Sequence, residues 1–152
     1  MPVTYAIDTK ERVIRTRCVG VATLAEVVEH FRELERDPDC ADRLDVLLDL
    51  SEMTSLPRAI DIKAVPFEIA RIREKVRFSA CAIVATTDPL FGMLRMFEVL
   101  AERYFRVIHV FRTRPEAETW LKLQRQASDG ESNISRVPGP VEPSAGGGTA
   151  EQ

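Results

Sequence analysis

Apolar and polar side chains alternate from Val3 to Asp8, with Val3, Tyr5 and Ile7 on one face and Thr4, Ala6 and Asp8 on the other. Period two is the signature of a half-buried strand. After the short turn Thr9-Lys10-Glu11, the alternation returns over 12–19, where Val13, Arg15 and Arg17 oppose Ile14, Thr16 and Cys18. The two segments are close enough to pair as a hairpin, and Gly20 ends the second.

From Thr23 the period changes to that of a helix. Leu24, Val27, Val28, Phe31 and Leu34 share one stripe, and Thr23-Leu24-Ala25-Glu26 has the form of a capping box. Asp37-Pro38 stops this helix. Leu44 to Leu50 is apolar on both faces and reads as a strand. Ser51 to Arg58 is a polar connection, and a helix follows to about Lys75 on Ile62, Val65, Ile69 and Ile72. Pro66 lies inside that stripe and predicts a kink or restart.

Phe78 to Thr86 holds the unbroken apolar run Ala80 to Ala85, a central strand buried on both faces. Asp88 as N-cap and Pro89 at the first helical position open a third helix, with the stripe Leu90, Leu94, Phe97, Leu100, Ala101 and Tyr104. Phe105 to Phe111 is the last strand. Thr113-Arg114-Pro115-Glu116 is a second capping box, opening a helix with Ala117, Trp120 and Leu121.

The resulting order, β-β-α-β-α-β-α-β-α, predicts an α/β fold with a five-stranded mixed sheet in sequential strand order, the first strand antiparallel. Right-handed crossovers that always step the same way place their helices on one face. Leu47 and the run Cys81, Ile83 and Ala85 indicate that the other face is apolar too. It must then be covered by a wrapping helix or by a second subunit, and a homodimer is the expectation.

Composition sets the domain boundary. From Ser128 onward the chain has five Gly, three Pro and no aromatic, so residues 1–127 are expected to form the domain and 128–152 a disordered tail. The tail carries Arg136 against Asp129, Glu131, Glu142 and Glu151. It therefore accounts for the whole net charge of −3 and leaves 1–127 neutral. A neutral domain has no field to attract a polyanion, and no nucleic-acid partner is expected. The 152 residues contain no run of about 20 apolar residues and no signal-peptide pattern, so a cytoplasmic protein without a membrane span is expected. Cys18, Cys40 and Cys81 have neither metal nor redox spacing and read as reduced thiols; for Cys40, in a loop, an inert thiol is favoured over a reactive one.

Three stretches carry a resemblance. They are Val46-Leu47-Leu48-Asp49-Leu50-Ser51, then Asp88 to Phe97, then Val110-Phe111-Arg112-Thr113 with Glu116-Ala117 and Trp120-Leu121. Over about Val3 to Leu123 the chain resembles the bacterial anti-sigma-factor-antagonist superfamily of STAS domains, whose SpoIIAA-like fold is shared with CRAL-TRIO lipid-transfer domains. The resemblance implies that fold and a non-catalytic interaction or regulatory module that binds a protein partner or itself. The kinship with CRAL-TRIO domains implies the alternative, a carrier of a small apolar or lipid-like ligand. In the antagonist branch a serine after the third strand is phosphorylated, and its place here falls near Arg58. Ser51, Thr54 and Ser55 lie off that register.

In α/β proteins ligands sit at the C-terminal ends of parallel strands. The candidate binding residues there are Asp49, Ser51, Thr54 and Arg58 after the third strand, and Thr87 and Asp88 after the fourth. Arg95, two turns into the third helix, joins them if it reaches the same rim. His30 and His109 read as solitary structural or surface residues. No nucleophile-base pair, metal set or phosphate loop occurs, so neither catalysis nor a cofactor is expected, and an enzyme remains the third reading. An apolar cavity of some hundreds of Å³, as against a filled core, separates the carrier from the interaction module.

Overall fold

A computed structural model describes residues 2–40 and 43–135, the last five as helix backbone. Five strands and four α-helices run in the order β1 (Val3–Asp8), β2 (Val13–Gly20), α1 (Leu24–Arg36), β3 (Leu44–Met53), α2 (Ala59–Ile72), β4 (Phe78–Val84), α3 (Asp88–Ala101), β5 (Val107–Phe111) and α4 (Arg114–Ser135). A 3-10 turn, Glu102–Tyr104, links α3 to β5. The sheet order is β1-β2-β3-β4-β5, with β1 antiparallel to β2 and every other pair parallel.

Local chemistry sets the boundaries. The Asp8 carboxylate accepts the amides of Lys10 and Glu11 and so shapes the hairpin turn. At the start of α1 the capping box is complete: the Glu26 amide donates to Thr23 Oγ1, and the Thr23 amide donates to Glu26 Oε1. Asp37 caps the other end, its amide donating to the Leu34 carbonyl. Gly20 ends β2 at φ +72°, in the left-handed region that glycine adopts without strain.

Several details differ from the sequence reading, among them β4, which stops at Val84 rather than Thr86, and β5, which starts at Val107 rather than Phe105. β3 runs three residues further, to Met53, because the Thr54 amide donates to the Gly20 carbonyl and holds the extension against β2. Helix α2 is continuous through Pro66, whose ring is buried. Thr87, not Asp88, is the N-cap of α3, and Asp88 begins the helix. Helix α4 passes the proposed domain boundary at Ala127 and continues to Ser135. The rest of the proposed tail, 136–152, lies outside the described residues.

The crossover helices α1, α2 and α3 share one face of the sheet. There Ile14 and Cys18 of β2, Leu44 and Leu50 of β3, and Cys81 and Ile83 of β4 join Leu34, Ile62, Ile69, Leu94 and Phe97 in one large core. The opposite face is smaller and belongs to α4. Val13, Leu47, Ala80, Ala82 and Val84 pack there with Ala117 and Leu121, bordered by Val107, Phe111 and Trp120. Three alanines, Ala80, Ala82 and Ala117, meet at this contact with no surface left to solvent. Their small side chains let the helix lie close to the strands. Leu47 thus shares the second apolar face with Ala80, Ala82 and Val84, not with Cys81, Ile83 and Ala85, which alternate to the crossover-helix side. The chain's own last helix covers that second face, which removes the reason for expecting a homodimer.

Candidate functional site

The large core is incompletely filled. Val46 and Leu48 lie on the central strand β3, beneath the crossover helices, yet both keep some accessible surface, whereas Leu47 between them is 1% exposed. The reason is a cavity of about 150 Å³ between the sheet and helices α1 and α2, with Leu94 and Phe97 of α3 in its wall. Its floor is Ile14, Thr16 and Cys18 of β2, Val46, Leu48 and Leu50 of β3, and Cys81 of β4. Its roof comes from α1 (Val27, His30, Phe31, Leu34) and α2 (Ile62, Val65, Ile69). Lining residues with access to solvent, among them Ala22, Thr23, Met53, Pro57 and Asp61, gather at the C-terminal ends of β2 and β3 and mark the mouth.

Among the described residues, four polar side chains line this cavity: Thr16, Thr23, His30 and Asp61. Two of them are engaged at the mouth. Thr23 forms the α1 cap, and Asp61 takes a two-pronged contact from Arg58, Nε at 3.1 Å and a terminal nitrogen at 3.2 Å. The other two are deep. Thr16 is 2% exposed and His30 9%, and Thr16 Oγ1 lies 3.2 Å from His30 Nε2 in a shared hydrogen bond. Burial holds the His30 ring neutral, lowering its pKa from 6.5 to about 4. The rings of Tyr5 and Phe31 pack on it, at 5.2 and 5.7 Å between centroids. Tyr5 is fixed in turn by its hydroxyl, which donates to Asp37 Oδ2 at 2.7 Å.

The residues singled out from sequence occupy other places. Asp49 follows Asp45 and Leu47 on the α4 face of β3, away from the cavity. It accepts from the Ser51 amide (2.9 Å) and the Ser51 hydroxyl (2.6 Å), and Arg114 at the start of α4 stands 3.8 Å away. Arg58 is on the opposite side of the sheet, at the cavity mouth. Thr54 is exposed and contributes its backbone to the β2–β3 pairing. Thr87 caps α3 without a side-chain bond, and Asp88 pairs with Arg112 at 2.5 Å, whose guanidinium lies over the Phe91 ring. Arg95 is exposed on α3 beside Glu98, at 3.8 Å. The structure thus joins Asp49 to Ser51 and puts Arg58 at the mouth, but it does not gather the set into one rim.

Cys40 is buried although it lies in a loop, which agrees with the inert thiol favoured from sequence. Burial, with Asp37 nearby, pushes its pKa up to about 11. Cys18 is likewise pushed to about 11 by burial, and Cys81, fully enclosed, is raised further. Among the described residues no group of three or more His, Cys, Asp or Glu side chains is placed to hold a metal ion, and no helix is long and apolar enough to cross a membrane.

The buried pair Thr16 and His30 was not among the sequence candidates. Its signal was present: each is a polar residue on an otherwise apolar face, Thr16 between Ile14 and Cys18, and His30 between Val27 and Leu34. No protein-family model, curated protein or solved structure matches the chain.

Proposed function

We propose that this chain is a non-catalytic binding domain for a compact apolar molecule, held in the cavity between the sheet and helices α1 and α2. The cavity itself carries the reading. Dry apolar cavities of about 150 Å³ take up a single aromatic ring, and the lining here is of that size and character. The volume falls short of the several hundred Å³ that a larger lipid-like ligand fills. The expected carrier is therefore narrowed to small ligands. The Cys18 and Cys81 thiols in the lining are held protonated by burial, so neither offers a thiolate nucleophile. The resemblance to SpoIIAA-like and CRAL-TRIO domains is in keeping with this use of the fold.

Native mass spectrometry of protein purified from its host, joined to thermal melts with added toluene, tests the reading. A bound small molecule, or a melting midpoint that rises with toluene concentration, is expected, since a ligand of the folded state stabilises it by mass action. The same measurements on Leu48→Phe, which fills the space, should show neither. A wild-type protein that carries no mass and does not respond to toluene overturns the reading.

The STAS-type interaction module is favoured by a separate observation. Phe67, on the outer face of α2, is 76% exposed, and Ile60, two turns earlier on the same face, is exposed as well. Sedimentation of wild type against Phe67→Asp distinguishes self-association through this face from a monomer whose cavity is its only site.

A further inference from the structure

We infer that the cavity selects ligands with one hydroxyl group, anchored by Thr16 and His30; this rests on the binding reading above. A wholly apolar ligand would leave this pair unused at a cost. His30 Nδ1 is buried and has no hydrogen-bond partner among the described residues. An unpartnered buried nitrogen has lost its water without gaining a hydrogen bond in return. Thr16 Oγ1 makes one bond, to His30 Nε2, of the three a hydroxyl offers. Both side chains stand in the cavity wall.

The other polar lining groups have employment elsewhere. Thr23 is committed to Glu26 in the capping box, and Asp61 to Arg58 at the mouth. Among the described residues that line the cavity, Thr16 and His30 are the polar side chains with hydrogen-bonding capacity left over. A neutral imidazole has one donor and one acceptor nitrogen, and which is which depends on the tautomer. A hydroxyl both donates and accepts, so it satisfies the pair in either tautomer. A carboxylate would have to leave its charge in an apolar cavity beside a neutral ring, which is far more expensive. The ligand class is thus a ring-sized hydrocarbon bearing one hydroxyl, of which phenol is the simplest probe. Toluene, with a methyl in the hydroxyl's place, is its matched control.

Calorimetric titration of the full chain with phenol and with toluene decides this. Toluene should bind through the apolar lining, and phenol should compete with it despite the cost of removing a hydroxyl from water. In His30→Phe, which keeps the ring and removes both nitrogens, the ratio of phenol to toluene affinity should fall about tenfold or more, because a site built around a polar partner discriminates strongly. Thr16→Val should lower the ratio in the same direction, and it provides the comparison should His30→Phe fold poorly. A direct signature accompanies the affinities: the His30 ring 15N resonances should move on saturation with phenol and stay nearly fixed with toluene.

Toluene binding with the same phenol ratio in wild type and both variants would overturn the anchor and leave the apolar cavity standing. Failure of both probes to bind wild type would overturn the cavity reading and the anchor with it.

Discussion

Leu47 and Leu48 are neighbours on the central strand β3, and their side chains meet opposite environments. Leu47 is sealed beneath α4 against Ala82 and Leu121, while Leu48 points across the sheet to the cavity under α1 and α2. Strand alternation puts them on opposite faces, and the two faces are packed to different densities. The small helix–sheet contact is closed by alanines, whereas the larger one leaves a space that the function is proposed to use.

That asymmetry makes the two positions respond differently to mutation. Leu47→Ala should destabilise the fold by about 2–5 kcal/mol, the usual cost of a buried Leu truncation in a tight core. Leu47→Phe should also destabilise, by about 1–3 kcal/mol, through overpacking. Leu48→Phe should cost less than about 1 kcal/mol, because the ring enters existing space. Urea midpoints of the three variants check the order, and a Leu48→Phe cost equal to that of Leu47→Phe would show that no usable space exists.

Stability should fall in mild acid through His30. Its folded-state pKa is depressed from 6.5 to about 4. Below pH 6.5 the unfolded chain takes up a proton that the folded chain refuses, so stability drops as pH falls from about 6.5 to about 4 and then levels. The full contribution is about 3 kcal/mol. Asp45 acts in the other sense: burial raises its carboxyl pKa, so the folded state holds that proton more readily and gains stability as pH falls. The difference between wild type and His30→Phe cancels the Asp45 contribution. That difference, followed by denaturant unfolding from pH 7 to pH 4, should shift by about 3 kcal/mol against wild type.

Asp45 also has a structural duty. It is buried and accepts the Ala80 amide at 3.0 Å, tying β3 to β4 on the α4 face. Asp45→Ala should leave that amide unpaired and cost about 1–3 kcal/mol at pH 7. Asp45→Asn, which keeps an acceptor oxygen, should recover most of the loss in the same unfolding measurement.

The three thiols should resist modification in the folded protein. All are buried, with the Cys18 and Cys40 pKa values pushed to about 11. Ellman's reagent at pH 8 should therefore react slowly with native protein and label three thiols promptly in guanidinium. Fast labelling of one native thiol would show that its segment opens readily.

Removing the end of α4 beyond Arg125, its last tertiary contact among the described residues, should matter little. Leu121 is buried in the small core, and Arg125 reaches back to Glu11, with a 2.7 Å bond to its carbonyl. Gln126 and Ala127 are exposed. Truncation after Ala127 should shift the melting midpoint by less than about 2 °C, whereas Leu121→Ala should cost about 2–4 kcal/mol. A large loss on truncation would place a docking contact in the residues removed.

Much of the fold was legible because it is written in local chemistry. Period-two alternation named β1 and β2, the Thr23–Glu26 box and Asp37-Pro38 bracketed α1, and the run Ala80–Ala85 marked a strand covered on both sides. Strand order then followed from the handedness of crossovers, and with it the common face of α1, α2 and α3. Tertiary structure alone decided three things. Whether α4 or a second subunit covers the face around Leu47 depends on where a helix swings after the last strand, which no periodicity encodes. Which polar residues at strand ends meet depends on the face each occupies, so Asp49 and Arg58, close in sequence, lie on opposite sides of the sheet. The cavity depends on a mismatch of volumes between side chains far apart in the chain. Sequence pattern records that Thr16 and His30 interrupt apolar faces, but only packing brings them within 3.2 Å in the wall of an unfilled space.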